Sequence, residues 1–461
     1  MDELKIEKSF KLKRNFFDEG NTRSYEFRIE NLIKLREMIK KNEKEILDAI
    51  YLDLHKSPFE AFVSEIGITY EEINYAIKHL KKWMKPQKVS TPIVLQPSTS
   101  RVYSEPLGVT LIIAPWNYPF YLLFAPLIGA IAAGNCAMIK PSDQTKHTSD
   151  LVAKIFGETF QEEYISVVQG PGAMVGPMLI EKFKFNHIFF TGSQFVGKKI
   201  ASMASQHLTP VTLELGGKSP AIVHSDANID IVAKRLTWAK YFNSGQTCVC
   251  PDYLLVHESI KDEFINKMKF YIKEFYGDNP IESESLGRIV NEKRFDVLEN
   301  FLHEGNIVVG GQSNKSVLFI SPTIIDGIKQ DSKIMQEEIF GPILPVITYR
   351  DTKEVVDIIK QNPYPLSLYL YTNNKALEKY IIEKIEFGGG CVNNCMVHIA
   401  NTKLPFGGVG NSGMGKYHGK DSFDTFSHKK SIVKTSVLLD PSLRYPPYSD
   451  KKFNMAKKFY K

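Results

Sequence analysis

With 461 residues, 43% hydrophobic and 24% charged, the chain exceeds one typical domain and reads as a soluble globular protein of two or three lobes. Its 58 basic and 52 acidic residues leave a balance of +6, too mild and too dispersed for a nucleic-acid binder, though suited to an anionic cofactor. Five cysteines lack the paired spacing of a zinc site, so no metal is expected and a reduced, cytoplasmic compartment is.

The N-terminal residues precede no apolar run and do not read as a secretory signal. From about Ser24 to Lys85 the pattern is that of amphipathic helices, with Phe27, Leu32, Leu35, Met38 and Ile39 on one side. After Pro86 the texture turns β-rich through Val102 and Tyr103, which predicts a protruding hairpin. Residues 107–139 carry no charge. Pro115, Asn117, Pro119 and Pro126 argue against a membrane span, because irregular backbone in lipid is costly. A strand from Gly108 to Ala114, a turn over 115–119 and a buried helix from Phe120 to Ala133 are predicted instead.

Strand and helix then alternate. Strands at 137–140, 165–168 and 187–190 precede helices from about Thr145, Gly172 and Ser193, and 211–213 leads into Glu214. This pattern predicts an α/β fold built on a Rossmann-like open parallel sheet, with a ligand at the carboxyl ends of its strands. Two turns lie there. Lys140-Pro141-Ser142-Asp143 puts a cation and an acid where a ribose could bind, and taken alone reads slightly better as a solvated turn. Thr191-Gly192-Ser193-Gln194-Phe195-Val196-Gly197 starts a helix whose free N–H groups could meet a pyrophosphate, or is an ordinary N-cap.

The segment Ser244-Gly245-Gln246-Thr247-Cys248 sets a thiol just after small, flexible residues, where a short loop can expose it to a pocket. Thiolates attack carbonyl carbon well, and a carboxylate such as Glu214 could then activate water. Beyond it a second alternating lobe is predicted, with helices at 260–276 and 291–303 and strands at 306–309 and 345–348. In Glu337-Glu338-Ile339-Phe340-Gly341-Pro342 a carboxylate and an aromatic could orient a sugar and flank a flat ring, or form a plain turn. Glycine-dense 387–390 and 404–415 look like loops folded over a site. Trp116, Tyr118 and Phe406 suggest an apolar substrate tunnel. In the tail, Lys451, Lys452, Lys457, Lys458 and Lys461 interleave with Phe453, Met455 and Phe459. Disorder or docking on a partner subunit is the favoured reading there, with peripheral membrane contact the other.

Pro-Trp-Asn-Tyr-Pro at 115–119, Phe-Thr-Gly-Ser at 190–193, Leu-Glu-Leu-Gly-Gly-Lys-Ser-Pro at 213–220, Ser-Gly-Gln-Thr-Cys at 244–248, Glu-Glu-Ile-Phe-Gly-Pro at 337–342 and the glycine-rich 404–415 occur in an order that resembles the aldehyde dehydrogenase superfamily. Cys-x-x-Pro-Asp-Tyr after Thr247, Gly287-Arg288-Ile289-Val290-Asn291 and Arg444-Tyr445-Pro446-Pro447-Tyr448 look most like its class 3 branch, which oxidises fatty and aromatic aldehydes. The resemblance implies a dinucleotide-binding domain (1–87 and 107–216), an α/β catalytic domain (217–420), a β oligomerisation arm (88–106 and 421–440), a tail (441–461) and a homodimer. It makes Cys248 the nucleophile, Glu214 the base for water and Asn117 an oxyanion donor. Lys140 and Asp143 would bind the adenosine ribose, Gly192, Ser193 and Val196 the pyrophosphate region, and Glu338 with Phe340 the nicotinamide riboside. NAD is the expected cofactor, with NADP accepted at a penalty. Two residues depart from the family pattern: Asp143 stands for the usual Glu, and Cys250 for the usual Ala. The rival readings are a cysteine hydrolase or acyltransferase without redox cofactor, for which no histidine motif partners Cys248, a catalytically silent binding protein, and within the family a CoA-acylating enzyme.

Overall fold

The computed structural model describes residues 3–460. Two sheets organise it, and the chain passes from one to the other at 216–219, between a strand Val211–Leu215 and a strand Pro220–Val223. The first sheet has six strands in the order Gly413–Met414, Val211–Leu215, His187–Gly192, Val109–Ile113, Cys136–Lys140 and Ile165–Val167. All neighbours are parallel except the first pair. Strands Val109–Ile113 and Cys136–Lys140 are buried throughout, as expected where helices cover both faces. Every residue of the intervening helix Tyr121–Ala133 is buried, which explains the missing charges of 107–139 without a membrane. Among the described residues no helix is long and apolar enough to cross one.

The second sheet has seven strands, in the order Asn306–Val309, Thr323–Asp326, Ile343–Tyr349, Tyr253–His257, Pro220–Val223, Ser367–Tyr371 and Gly389–Val392. Only its first pair is antiparallel. Strand Gly413–Met414 falls inside the span read from sequence as catalytic domain, yet it pairs with Val211–Leu215 of the first sheet. Backbone pairing so distant in sequence leaves no local signature.

The β-rich stretch after Pro86 is a hairpin of Gln87–Val89 and Ser98–Pro106, extended by Ser427–Thr435 into a three-stranded antiparallel sheet. The helix Gly419–Thr425, placed by sequence partly in the arm, packs on Tyr121–Ala133 instead. The N-terminal helices are Glu3–Asp18, Tyr25–Lys41, Glu43–Leu54 and Gly67–Trp83, with a π-turn at Phe62–Ile66. The helix Asp450–Tyr460 in the tail has no buried residue.

Candidate active site

Cys248 lies where two cavities meet. One is an apolar chamber of about 220 Å³ lined by Tyr118, Tyr121, Trp238, Met396, Phe406 and Cys248 among others. The other, about 660 Å³, is lined by Asn117, Gly192, Ser193, Glu214, Glu338 and Cys248 among others. Cys248 therefore borders both an apolar space and a more polar one.

The loop that carries it is wound tightly. Asn243 and Ser244 adopt φ of 52° and 51°, and Gly245 follows at 73°. A Cβ on Gly245 would run into the carbonyl of Gly341, so only glycine fits this left-handed position. Gln246 fastens the loop from outside: its Nε2 donates to Arg288 O at 2.9 Å and its Oε1 accepts from Val290 N at 3.0 Å. The Asn117 side chain donates through Nδ2 to Gln246 O at 3.1 Å. An amide has two N–H groups, so a second donor remains for an oxyanion beside Cys248. Burial pushes the Cys248 thiol up to about 12, and the carboxylates of Glu338 and Glu214 add to the shift. The N–H groups of Val249 and Cys248 work against it.

Glu214 sits in strand Val211–Leu215, buried, and neither carboxylate oxygen has a protein partner. Burial alone drives its pKa well above the ordinary carboxylate value. A buried carboxyl with both oxygens unbonded beside a cavity is suited to holding a water molecule.

Cys250 has a different environment. Its Sγ lies 3.5 Å from Lys240 O and 3.4 Å from Pro251 O, buried beneath the loop and away from both cavities. Burial raises it to about 11.

The larger cavity fits a dinucleotide at its walls. Ser193 caps the helix Gln194–Ser205 by accepting from Val196 N at 3.4 Å. Gly216 is a cradle, since a Cβ there would collide with the Glu338 carboxylate. Glu338 is pushed up to about 8, first by burial and then by Asp252, with the Gly217 N–H, Arg294 and Lys218 opposing. Phe340, at φ 48°, sets its ring edge-on to Trp116 with centroids 5.3 Å apart. Trp116 thus lines the larger cavity and not the apolar chamber in which sequence reasoning placed it. Within one short turn Trp116 faces Phe340, while Tyr118 turns the other way to hydrogen-bond Thr247 Oγ1 at 2.6 Å. Tyr118 and Phe406 do line the chamber.

Lys140, Asp143 and Val196 are not among the residues lining the larger cavity. Lys140 ends its strand with Nζ buried, donating to Pro141 O at 3.1 Å and standing 3.9 Å from Asp143 Oδ1. Asp143 also accepts from Gly172 N at 3.3 Å. Val196 is partly exposed on the helix's first turn.

Buried charges behind the site escaped sequence reasoning. Lys56 and Glu65 are fully buried and paired at 2.6 Å. Lys56 also donates to Asn117 O at 2.9 Å, and its ammonium lies 3.9 Å from the centroid of the Tyr118 ring. Glu65 accepts from Phe120 N at 2.8 Å, and Glu60 from Asn243 N at 2.8 Å. On the cofactor side Lys218 pairs with Asp252 and donates to Ile334 O and Glu337 O, both at 2.8 Å. Asp252 in turn accepts from Ile339 N at 2.8 Å. The flanks of Glu338 are thereby pinned.

A sequence profile of the aldehyde dehydrogenase family matches residues 2–432. The 4,4'-diaponeurosporen-aldehyde dehydrogenase of Staphylococcus aureus is 48% identical over 458 residues, 99% of each chain. Aldehyde dehydrogenase family 3 member B1 of Mus musculus is 43% identical over 440 residues, 95% of this chain and 94% of that one. A solved substrate-bound state of Staphylococcus aureus AldH superposes with a TM-score of 0.97, at 48% identity and 99% coverage of both chains. An NAD-bound indole-3-acetaldehyde dehydrogenase superposes with a TM-score of 0.86, at 26% identity over 94% of this chain and 90% of that one. The hydrolase alternative finds no support among these relatives. The chain belongs to the aldehyde dehydrogenase family and is an NAD(P)-dependent oxidoreductase.

Proposed function

We propose that this enzyme oxidises long apolar aldehydes, aliphatic or aromatic, with Cys248 as nucleophile, Asn117 as oxyanion donor and Glu214 as the base that clears the acyl enzyme. The single observation that supports it best is that Cys248 lines both the apolar chamber and the larger polar cavity. The relative named for 4,4'-diaponeurosporen-aldehyde points to the same class of substrate.

The aldehyde enters by the chamber, whose walls desolvate its chain and aim the carbonyl at the sulfur. Cys248 loses its proton to water in the larger cavity that it lines, and its sulfur adds to the carbonyl carbon. The developing oxyanion accepts hydrogen bonds from Asn117 Nδ2 and the Cys248 N–H, each worth about 3 kcal/mol in comparable oxyanion holes. Bound nicotinamide dinucleotide supplies the hydride acceptor. Ser193 with the first N–H groups of its helix and Glu338 on the opposite wall would hold it, with Asp143 and Lys140 towards the adenosine. The carbon left on Cys248 is a thioester, and Glu214 draws a proton from the water that hydrolyses it.

The long, exposed edge of Ser427–Thr435 supports pairing with a second copy, because an unpaired strand edge invites another strand. A cytoplasmic homodimer is the working form we infer. The reading is tested by absorbance at 340 nm with an aldehyde panel of increasing chain length plus benzaldehyde. Rising kcat/KM with chain length is expected; no NAD reduction with any of them would refute it.

A further inference from the structure

Among the polar groups that line the apolar chamber, the pair Tyr121 and His418 is not used by the proposed chemistry. Tyr121 and His418 both line it and are 5% and 1% exposed. Tyr121 Oη lies 2.9 Å from His418 Nε2, and His418 Nδ1 is buried with no partner among the described residues. The imidazole is locked: its ring stacks on Phe406 with centroids 5.1 Å apart, and Tyr417 meets it edge-on at 4.4 Å. The backbone is fixed as well. His418 takes φ 81°, while its N–H donates to Ser422 Oγ at 2.8 Å and that of Gly419 donates to Glu72 at 2.9 Å. A non-glycine residue is rarely held at such a φ, so the surroundings impose this placement.

One arrangement of the protons meets the hydrogen-bonding needs of the Tyr121–His418 pair best. Burial holds the imidazole neutral, with a pKa lowered to about 3, so it carries one proton. An unmet buried N–H is the rarer and costlier defect, which keeps that proton off Nδ1 and on Nε2. In that arrangement Nε2–H donates to Tyr121 Oη, and the Tyr121 O–H, which has no other protein partner among the described residues, is available to a guest in the chamber that Tyr121 lines. The other hydroxyls there include Ser64, bonded to Glu60 O at 2.6 Å, and Thr247, bonded to Tyr118 beside Cys248.

We propose that Tyr121, oriented by His418, is a specificity residue that hydrogen-bonds a hydroxyl carried on the chain of the aldehyde substrate. The inference rests on the chamber being the aldehyde site. A hydroxyl set at that point of an otherwise apolar wall is matched, whereas one set elsewhere is buried without a partner, at about 1–3 kcal/mol or roughly 5–150-fold.

The test is kcat/KM for one straight-chain aldehyde and its positional hydroxy isomers, in wild type, Tyr121→Phe and His418→Asn. Wild type is expected to turn over one isomer as well as the parent and the remainder at least about 5-fold worse. In Tyr121→Phe the favoured isomer falls relative to the parent by about 2–13-fold, the loss of one net hydrogen bond. His418→Asn is expected to act in the same direction, and Tyr121→Phe alone decides the matter if the Asn variant does not fold. A flat profile in wild type, or a favoured position that survives Tyr121→Phe, overturns the proposal. Failure to oxidise the parent aldehyde would instead overturn the assignment of the chamber.

Discussion

Replacing Lys56 by Met tests whether Asn117, the proposed oxyanion donor, is held from behind. The ammonium is fully buried and has two anchors, Glu65 Oε1 at 2.6 Å and Asn117 O at 2.9 Å. Without it, Glu65 is a buried carboxylate left with the N–H groups of Phe120 and Tyr121, at 2.8 and 3.3 Å. Breaking one partner of a buried pair costs about 3–5 kcal/mol, largely from the stranded charge. The fall is read as a lower urea midpoint. Adding Glu65→Gln to Lys56→Met removes that charge and should recover much of it. Turnover responds separately, because Asn117 retains only the Asn243 Nδ2 contact at 2.9 Å on its carbonyl. We expect kcat to drop by a factor between about 10 and the 10²–10³ that deleting an oxyanion donor costs. Asn117→Ala sets the upper limit. A Lys56→Met enzyme that loses stability but keeps wild-type kcat would refute the positioning role.

Other outcomes follow from the same structure. Glu338 holds its proton to about pH 8, whereas an unperturbed carboxyl releases it near 4.5, so between these values the folded state binds more protons and stability falls as pH rises. Glu338→Gln should flatten that slope in urea titrations from pH 5 to 8, leaving the same-signed contributions of Glu60 and Glu72, both raised to about 7. Glu338→Gln should also speed alkylation of Cys248 by iodoacetamide at pH 8, since the carboxylate helps to hold the thiol protonated. For cofactor choice, Asp143 is tied to Gly172 N and stands near Lys140, an arrangement in which a short acid yields to a 2′-phosphate more readily than a long one would. Asp143→Glu is expected to raise the NAD over NADP ratio of kcat/KM; an unchanged or lowered ratio means that this acid does not read the ribose.

The parallel sheets were legible because their strands are short apolar runs punctuated by turns and followed by helices, and Cys248, Glu214 and Asn117, the proposed reacting groups, could be singled out because they stand in distinctive local contexts. What lay beyond reading was whatever depends on distant pairing. Lys56, Glu60, Glu65 and Glu72 look like the solvated face of amphipathic helices, yet all four are buried behind the site. Nothing local reveals that Glu65 will meet the N–H groups at Phe120 and Tyr121. The return of Gly413–Met414 to the first sheet has the same cause. Trp116 was misplaced because residue type reports affinity for apolar surroundings and not which of two neighbouring cavities a turn will serve. His418 carried no sequence signal, as its meaning lies in its φ, its stacked ring and its partner Tyr121.

The division of labour between Cys248 and Glu214 is tested most directly by a single-turnover measurement on Glu214→Gln mixed with NAD and a long-chain aldehyde, quenched and analysed by peptide mass spectrometry. One equivalent of reduced cofactor per active site should form in a burst, followed by slow turnover, with the acyl mass on the peptide at Cys248 and none on Cys250, whose sulfur faces the carbonyls of Lys240 and Pro251. An acyl group on Cys250, or loss of the burst along with turnover, would contradict it.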